Sequence, residues 1–122
     1  MNILIIDDSE LSLQAMETTL KAHGHRVVCT SSPIGATRLI LNEKIDVVVV
    51  DVNLPSMRGD SLAALFRKQP RMQHVGVVLV SGVEPEELKR LTDESKADAM
   101  CNKQDVREGL HPAVMTARRA RK

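Results

Sequence analysis

The stretch from Ile45 to Gly59, IDVVVVDVNLPSMRG, constrains the fold more than any other part of the chain. Four consecutive valines after Asp46 leave no polar face, which suits a short strand covered on both sides. The run stops at a carboxylate, Asp51, and Pro55 and Gly59 then punctuate a loop. In an open parallel sheet the carboxyl ends of the central strands face the ligand crevice, so Asp51 is expected at the mouth of a site.

The rest of the chain can be arranged around that strand. Asn2 to Ile6 (NILII) predicts a first strand ending in Asp7 and Asp8. Ser9 is a cap for a helix that buries Leu13, Met16 and Leu20, with Gly24 suited to its C′ position. Arg26 to Thr30 predicts a second strand, and Ser32 with Pro33 an N-cap and N1 proline for a helix burying Ala36, Leu39 and Ile40. The segment DSLAALFRKQ carries Leu62, Leu65 and Phe66 at i, i+3 and i+4, a third helix closed by Pro70. Val75 to Val80 is a fourth buried strand that runs out at Ser81 and Gly82, and Glu84 with Pro85 opens a helix burying Leu88 and Leu91. Asp98 to Asn102 predicts a fifth strand, ending at Lys103. Asp105 and Glu108 stand in capping-box spacing before a last helix with Val106, Leu110, Val114 and Ala117 on one face. Pro112 inside it predicts a kink or a late start.

Strand and helix alternate five times without a repeat or linker, the pattern of a doubly wound α/β sheet. The natural arrangement is the five-stranded flavodoxin-like order 2-1-3-4-5 with five helices. At 122 residues one domain is expected over 1–122, with residues 118–122 a basic tail or the start of a linker. Phe66 is the only aromatic residue, so the core must be aliphatic. A formal charge of +1 provides no global field for nucleic acid or an anionic membrane, and neither is expected as a partner. Met1 leads directly into a strand and no apolar run reaches the roughly 20 residues of a membrane span, so the expected location is cytoplasmic. Cys29 and Cys101 read as buried small hydrophobes. His23, His25, His74 and His111 fall at predicted helix ends and loops and read as separate surface residues, not a metal site.

Four of the five strands end in a particular polar residue: Asp7 and Asp8, Asp51, Ser81, Lys103. An aspartate after a strand is ordinarily a loop or cap residue, but these ends converge on one edge of such a sheet. Three carboxylates within about 5 Å repel by about 3 kcal/mol per pair at an effective dielectric of about 20, so the cluster demands a cation. Oxygen ligands without His or Cys favour a hard ion, and Mg²⁺ is expected. Lys103 can pair with Asp51 or with an anion placed on it, and Ser81 offers a hydroxyl to that anion. The set specifies phosphoryl transfer to Asp51 as nucleophile. No GxxxxGK phosphate loop is present, so the phosphate is expected from a partner and not directly from ATP.

At these residues the chain resembles a response-regulator receiver domain of two-component signalling. The resemblance spans the chain: Asp7 with Asp8, the DVNLPSMRG run, Ser81 with the small Gly82, and Lys103. It implies a phosphohistidine donor on a histidine kinase or histidine phosphotransfer protein, and an output domain or downstream target. It further implies that Mg²⁺ is held by Asp8, Asp51 and the backbone carbonyl of Asn53, with Asp7 acting largely through water. Ser81, Gly82, Lys103 and Asn53 would contact the phosphoryl group. The expected output surface is the fourth helix, fifth strand and fifth helix, through which a homodimer could also form. Such a protein catalyses its own phosphorylation and dephosphorylation only.

Three positions depart from the family pattern. Where receivers carry a Tyr or Phe that moves with the Ser/Thr hydroxyl, this chain has Met100, so the switch pair is Ser81 and Met100. Gln104 replaces the proline that commonly follows the lysine, which favours a trans peptide there. Val83 stands where polar residues often influence the hydrolytic water, and slow autodephosphorylation is expected. A different class of function is a phosphorylation-independent, receiver-like interaction module, in which Met100 and Gln104 disable the switch. An aspartyl-nucleophile phosphatase fits poorly, because that chemistry wants a second acid where Asn53 stands.

Overall fold

A computed structural model describes residues 1–121. Five strands, β1 (Asn2–Ile6), β2 (Arg26–Thr30), β3 (Val47–Asp51), β4 (Gly76–Ser81) and β5 (Ala99–Asn102), alternate with five helices. These are α1 (Glu10–Lys21), α2 (Ala36–Asn42), α3 (Gly59–Lys68), α4 (Pro85–Ser95) and α5 (Val106–Ala120). All four strand pairings are parallel, in the order β2-β1-β3-β4-β5, the expected flavodoxin-like order.

The valine run explains why β3 takes the middle of the sheet. Side chains alternate between faces along a strand, and both faces here are covered. Val48 and Val50 pack with Leu4, Ile6 and Leu79 against Ile40, Phe66 and Leu88 from α2, α3 and α4. Val47 and Val49 pack with Ile3, Ile5 and Val80 against Met16, Leu20, Leu110 and Val114 from α1 and α5. Each such side chain contributes about 1.5–3 kcal/mol on burial, enough to hold β3 in register so that Asp51 emerges at the sheet's carboxyl edge.

Several expected details differ. The Ser32 hydroxyl accepts from the Ile34 N–H at 3.1 Å and closes a local turn instead of capping a helix. The chain then passes through Gly35 at φ +82°, a conformation no helix can continue, so α2 begins only at Ala36. Leu65 is 41% exposed, and α3 buries Leu62, Ala63 and Phe66 instead. Gly24 is left-handed at φ +85° but follows the C′ residue instead of being it, because α1 ends at Lys21 with Ala22 as its C-cap. The Asp105 side chain caps nothing; the Asn102 side chain accepts from the Gln104 N–H at 2.9 Å and starts a 3₁₀ turn over Lys103–Asp105. α5 runs uninterrupted from Val106, with Pro112 inside it. Both Pro112 and Glu108, whose carbonyl the proline cannot serve, are exposed, so water can take the missing bond.

At the opposite end of the sheet Asp98 gathers three elements. Its carboxylate accepts from Arg67 of α3 at 3.0 Å, the Val77 N–H of β4 at 2.8 Å and Arg121 beyond α5 at 2.9 Å. Arg118 pairs with Asp46 at 3.4 Å, so two cations of the basic end are folded onto the sheet edge. Lys122 lies outside the described residues.

Candidate phosphoacceptor and metal site

β1 and β3 are neighbours in register, with Ile6 paired to Val50, so Asp7 and Asp51 emerge side by side. Asp7 is fully buried and Asp51 nearly so, while Asp8 is exposed at the rim. Carboxylate oxygens of the three lie within 4.8 Å of one another. The Ser9 N–H donates to Asp7 Oδ1 at 2.9 Å and the Asn53 N–H to Asp51 Oδ1 at 3.3 Å, leaving the two Oδ2 atoms facing inward. Lys103 Nζ reaches both, at 3.1 Å from Asp7 Oδ2 and 3.3 Å from Asp51 Oδ2.

The electrostatics leave room for a cation. Three carboxylates against one ammonium carry two excess negative charges, the charge of one divalent ion. Burial, and then the Asp7 charge, push the Asp51 carboxyl above its ordinary value, with Lys103 opposing. Burial pulls the Lys103 ammonium down, but hydrogen bonds and charge from Asp7 and Asp51 outweigh it and raise it. Asp7 Oδ2 is buried and makes no well-directed hydrogen bond, although the ammonium is near. An orphaned carboxylate oxygen in an all-oxygen cluster fits a hard cation such as Mg²⁺.

β4 ends at Ser81, with Gly82 just beyond it at the same edge of the sheet. Ser81 is fully buried, and its hydroxyl accepts from the Val83 N–H at 3.2 Å, which keeps its own proton for another acceptor. A side chain at Gly82 would meet nothing within 4 Å. Asn53 is exposed beside Asp51. Met100 is set apart from the acids: it is 38% exposed and lines a groove of about 240 Å³ with Pro85, Leu88 and Gly109.

Three contributors were not visible in the pattern. The Lys103 ammonium also donates to the Ser12 hydroxyl at 3.3 Å, a residue inside α1 that no strand end marks. Asn102 Nδ2 donates to the Val83 carbonyl at 3.1 Å and ties the loop after β4 to the end of β5. Gly59 opens α3 against the strand itself: a Cβ there would stand 2.3 Å from the Asp51 carbonyl oxygen. Its place in the DVNLPSMRG run was the available signal.

The model of the family described as "Response regulator receiver domain" matches residues 3–114. The chain belongs to this family. Among curated relatives, the protein PilH of Pseudomonas aeruginosa is 29% identical over 84 residues, 69% of this chain and 69% of that protein. The two-component response regulator ORR8 of Oryza sativa subsp. indica is 27% identical over 80% of this chain and 82% of its own. The chain spans only 13% of another relative, a gliding motility regulatory protein of Myxococcus xanthus, at 28% identity. Receiver architecture is matched by the chemotaxis response regulator CheY4 of Vibrio cholerae, with TM-score 0.77 and 22% identity over 92% of this chain and 97% of that one. The receiver domain of a signal transduction histidine kinase from Syntrophus aciditrophicus superposes with TM-score 0.85 and 22% identity, covering 99% and 92%. This receiver domain is therefore a module of two-component signalling. No helix among its described residues is long and apolar enough to cross a membrane.

Proposed function

We propose that Asp51 accepts a phosphoryl group from a phosphohistidine on a histidine kinase or phosphotransfer protein. The observation that carries this reading is the convergence of Asp7, Asp8 and Asp51 within 4.8 Å with Lys103 bridging the two buried acids. A carboxylate oxygen of Asp51 attacks phosphorus, the new O–P bond forms as the N–P bond breaks, and the imidazole leaves with the electron pair. Asp51 needs no general base. Lys103 neutralises charge on the transferring group, and the Ser81 hydroxyl donates its free proton to one of its oxygens. The carboxylates of Asp7, Asp8 and Asp51 with the Asn53 carbonyl would hold Mg²⁺, which supplies further charge neutralisation when bound.

The donor would approach beside Lys103, where Leu11 stands 80% exposed over a cavity of about 640 Å³ between α1 and α5. The acylphosphate then biases the domain between two conformations, for which about 5 kcal/mol of differential stabilisation is a full switch. The response passes to an output domain or target through α4, β5 and α5, where the groove beside Met100 lies, or by homodimerisation there. The basic end from Arg118 onward would lead into such a domain, in the cytoplasm. Neither nucleic acid nor membrane is a partner on this reading.

The test is intact mass after incubation with Mg²⁺ and acetyl phosphate or phosphoramidate, beside Asp51→Asn. A gain of about 80 Da, the mass of a phosphoryl group, that disappears in the variant is expected. No gain in a folded, Mg²⁺-binding protein would leave the phosphorylation-independent interaction module. The exposed Met100, with no ring to follow Ser81, favours that second reading, under which Asp51→Asn is silent in cells.

A further inference from the structure

Three of the four histidines, expected as separate surface residues, meet on one side of the molecule away from the acidic cluster. Gly24, left-handed at φ +85°, turns the chain so that His23 and His25 both reach α5. The His23 ring stacks on His111 with centroids 3.7 Å apart and planes 2° from parallel. His25 Nε2 faces His111 Nε2 at 3.0 Å. The Met1 nitrogen, a donor, lies 3.2 Å from His25 Nδ1. Neutral His25 therefore carries its proton on Nε2 and gives it to His111, whose Nε2 lone pair points into the pair.

We propose that His25 and His111 form a two-imidazole site for a nitrogen-preferring divalent transition ion of the Cu²⁺, Ni²⁺ or Zn²⁺ class. With metal–nitrogen bonds of about 2.0–2.1 Å, adjacent ligands stand about 2.8–3.0 Å apart in a tetragonal site and about 3.3–3.4 Å apart in a tetrahedral one. The observed 3.0 Å matches the first and lies a few tenths of an ångström from the second. The ion replaces the single shared proton, and each ring tilts so that the two lone pairs converge. Burial first, and then neighbouring positive charge, hold both imidazoles below the usual histidine value. His23 lies in a plane parallel to His111, and its in-plane lone pairs cannot reach the same ion; it orients the ring as a stacked plate. Both ligands are half-buried, which leaves a path for the ion and for water in the remaining positions.

The experiment is a Cu²⁺ titration of the whole chain in excess Mg²⁺, read by electron paramagnetic resonance. One tightly bound Cu²⁺ with superhyperfine coupling to two imidazole nitrogens is expected. His25→Gln and His111→Gln should each weaken it at least tenfold, while His23→Phe, which keeps the stack, should stay within about twofold. A double His25→Gln/His111→Gln variant with undiminished affinity would overturn the site, and a loss in His23→Phe equal to that in His111→Gln would overturn the two-ligand assignment. A readout on the unmutated chain is ¹⁵N resonance of the imidazoles with one equivalent of Zn²⁺. Shifts at Nε2 of His25 and His111, with His74 as the unmoved reference, are expected; no shift at either would refute the proposal.

Discussion

Of the described residues, Lys103 is the one cation among the acids: its ammonium lies 3.1 Å from Asp7 and 3.3 Å from Asp51, and it donates to the Ser12 hydroxyl at 3.3 Å. A hydrogen bond to a charged group contributes about 1.5–3 kcal/mol, and partial exposure of the ammonium brings this nearer 1 kcal/mol. Ser12→Ala should therefore slow phosphorylation by acetyl phosphate about fivefold at a cost of no more than about 3–5 °C in melting temperature, and Ser12→Thr should restore the rate; stopped-time mass spectrometry reads the rates. Asp51 is in the opposite situation, a buried carboxylate beside Asp7 whose charged form is disfavoured. Asp51→Asn removes that repulsion and should raise the melting temperature in metal-free buffer by about 3–5 °C, on the order of 1 kcal/mol. The acids were legible from sequence because each follows a buried run, and a strand's end is where apolar residues stop. Ser12 was not, since a hydroxyl one turn into a helix looks like any exposed position until β5 delivers Lys103 beside it.

Among the elements, strand boundaries followed directly from apolar runs: β1 and β2 fall where the sequence pattern places them. Helix starts were harder, because several residues compete for the cap. Ser32 and Pro33 advertise a start, but the serine hydroxyl satisfies a nearer N–H and Gly35 diverts the chain. Long-range polar ties were invisible for a different reason: Arg67, Val77 and Asp98 lie on separate elements with no periodic relation. Their energetic weight is nevertheless large. The Arg67 and Asp98 side chains are 6% and 5% exposed, and removing Asp98 leaves the Arg67 guanidinium buried without a counter-charge, held only by the Val75 and Lys96 carbonyls. Asp98→Ala should cost about 3–5 kcal/mol in urea unfolding, far above an exposed pair such as Lys89 with Asp93, whose removal should fall within the scatter.

At the scale of the whole molecule, the sheet separates two charge environments. The carboxyl edge holds an excess of negative charge that the fold alone does not neutralise and that a bound divalent cation would compensate. Mg²⁺ at a hundredfold excess over its dissociation constant should stabilise the domain by about 2.7 kcal/mol, visible as a rise in melting temperature. Asp8→Asn should abolish most of that rise, since Asp8 is the member of the acidic cluster open to solvent. The edge toward Asp98 is instead paired with arginines, Asp98 with Arg67 and Arg121 and Asp46 with Arg118, so charge is compensated where α5 ends and in excess where Asp51 sits. The fold was legible because five covered or half-covered strands admit few arrangements; the histidine cluster was not, because it exists only once α5 has packed across α1.

The contact of Gly59 with the Asp51 backbone carries a consequence for any library of variants. A residue with no side chain, no charge and no reactive atom occupies the space on which the acceptor's backbone rests. Every one of its nineteen replacements forces α3 off the strand end. In a saturation screen scored by signalling output, Gly59 should be as intolerant as Asp51, and the two failures should differ in kind. Asp51 variants should yield abundant, silent protein; Gly59 variants should yield scarce protein in which Asp51 is displaced. A position that performs no chemistry would thus appear in such a map as part of the active centre, because α3 rests there on the backbone of the proposed acceptor itself.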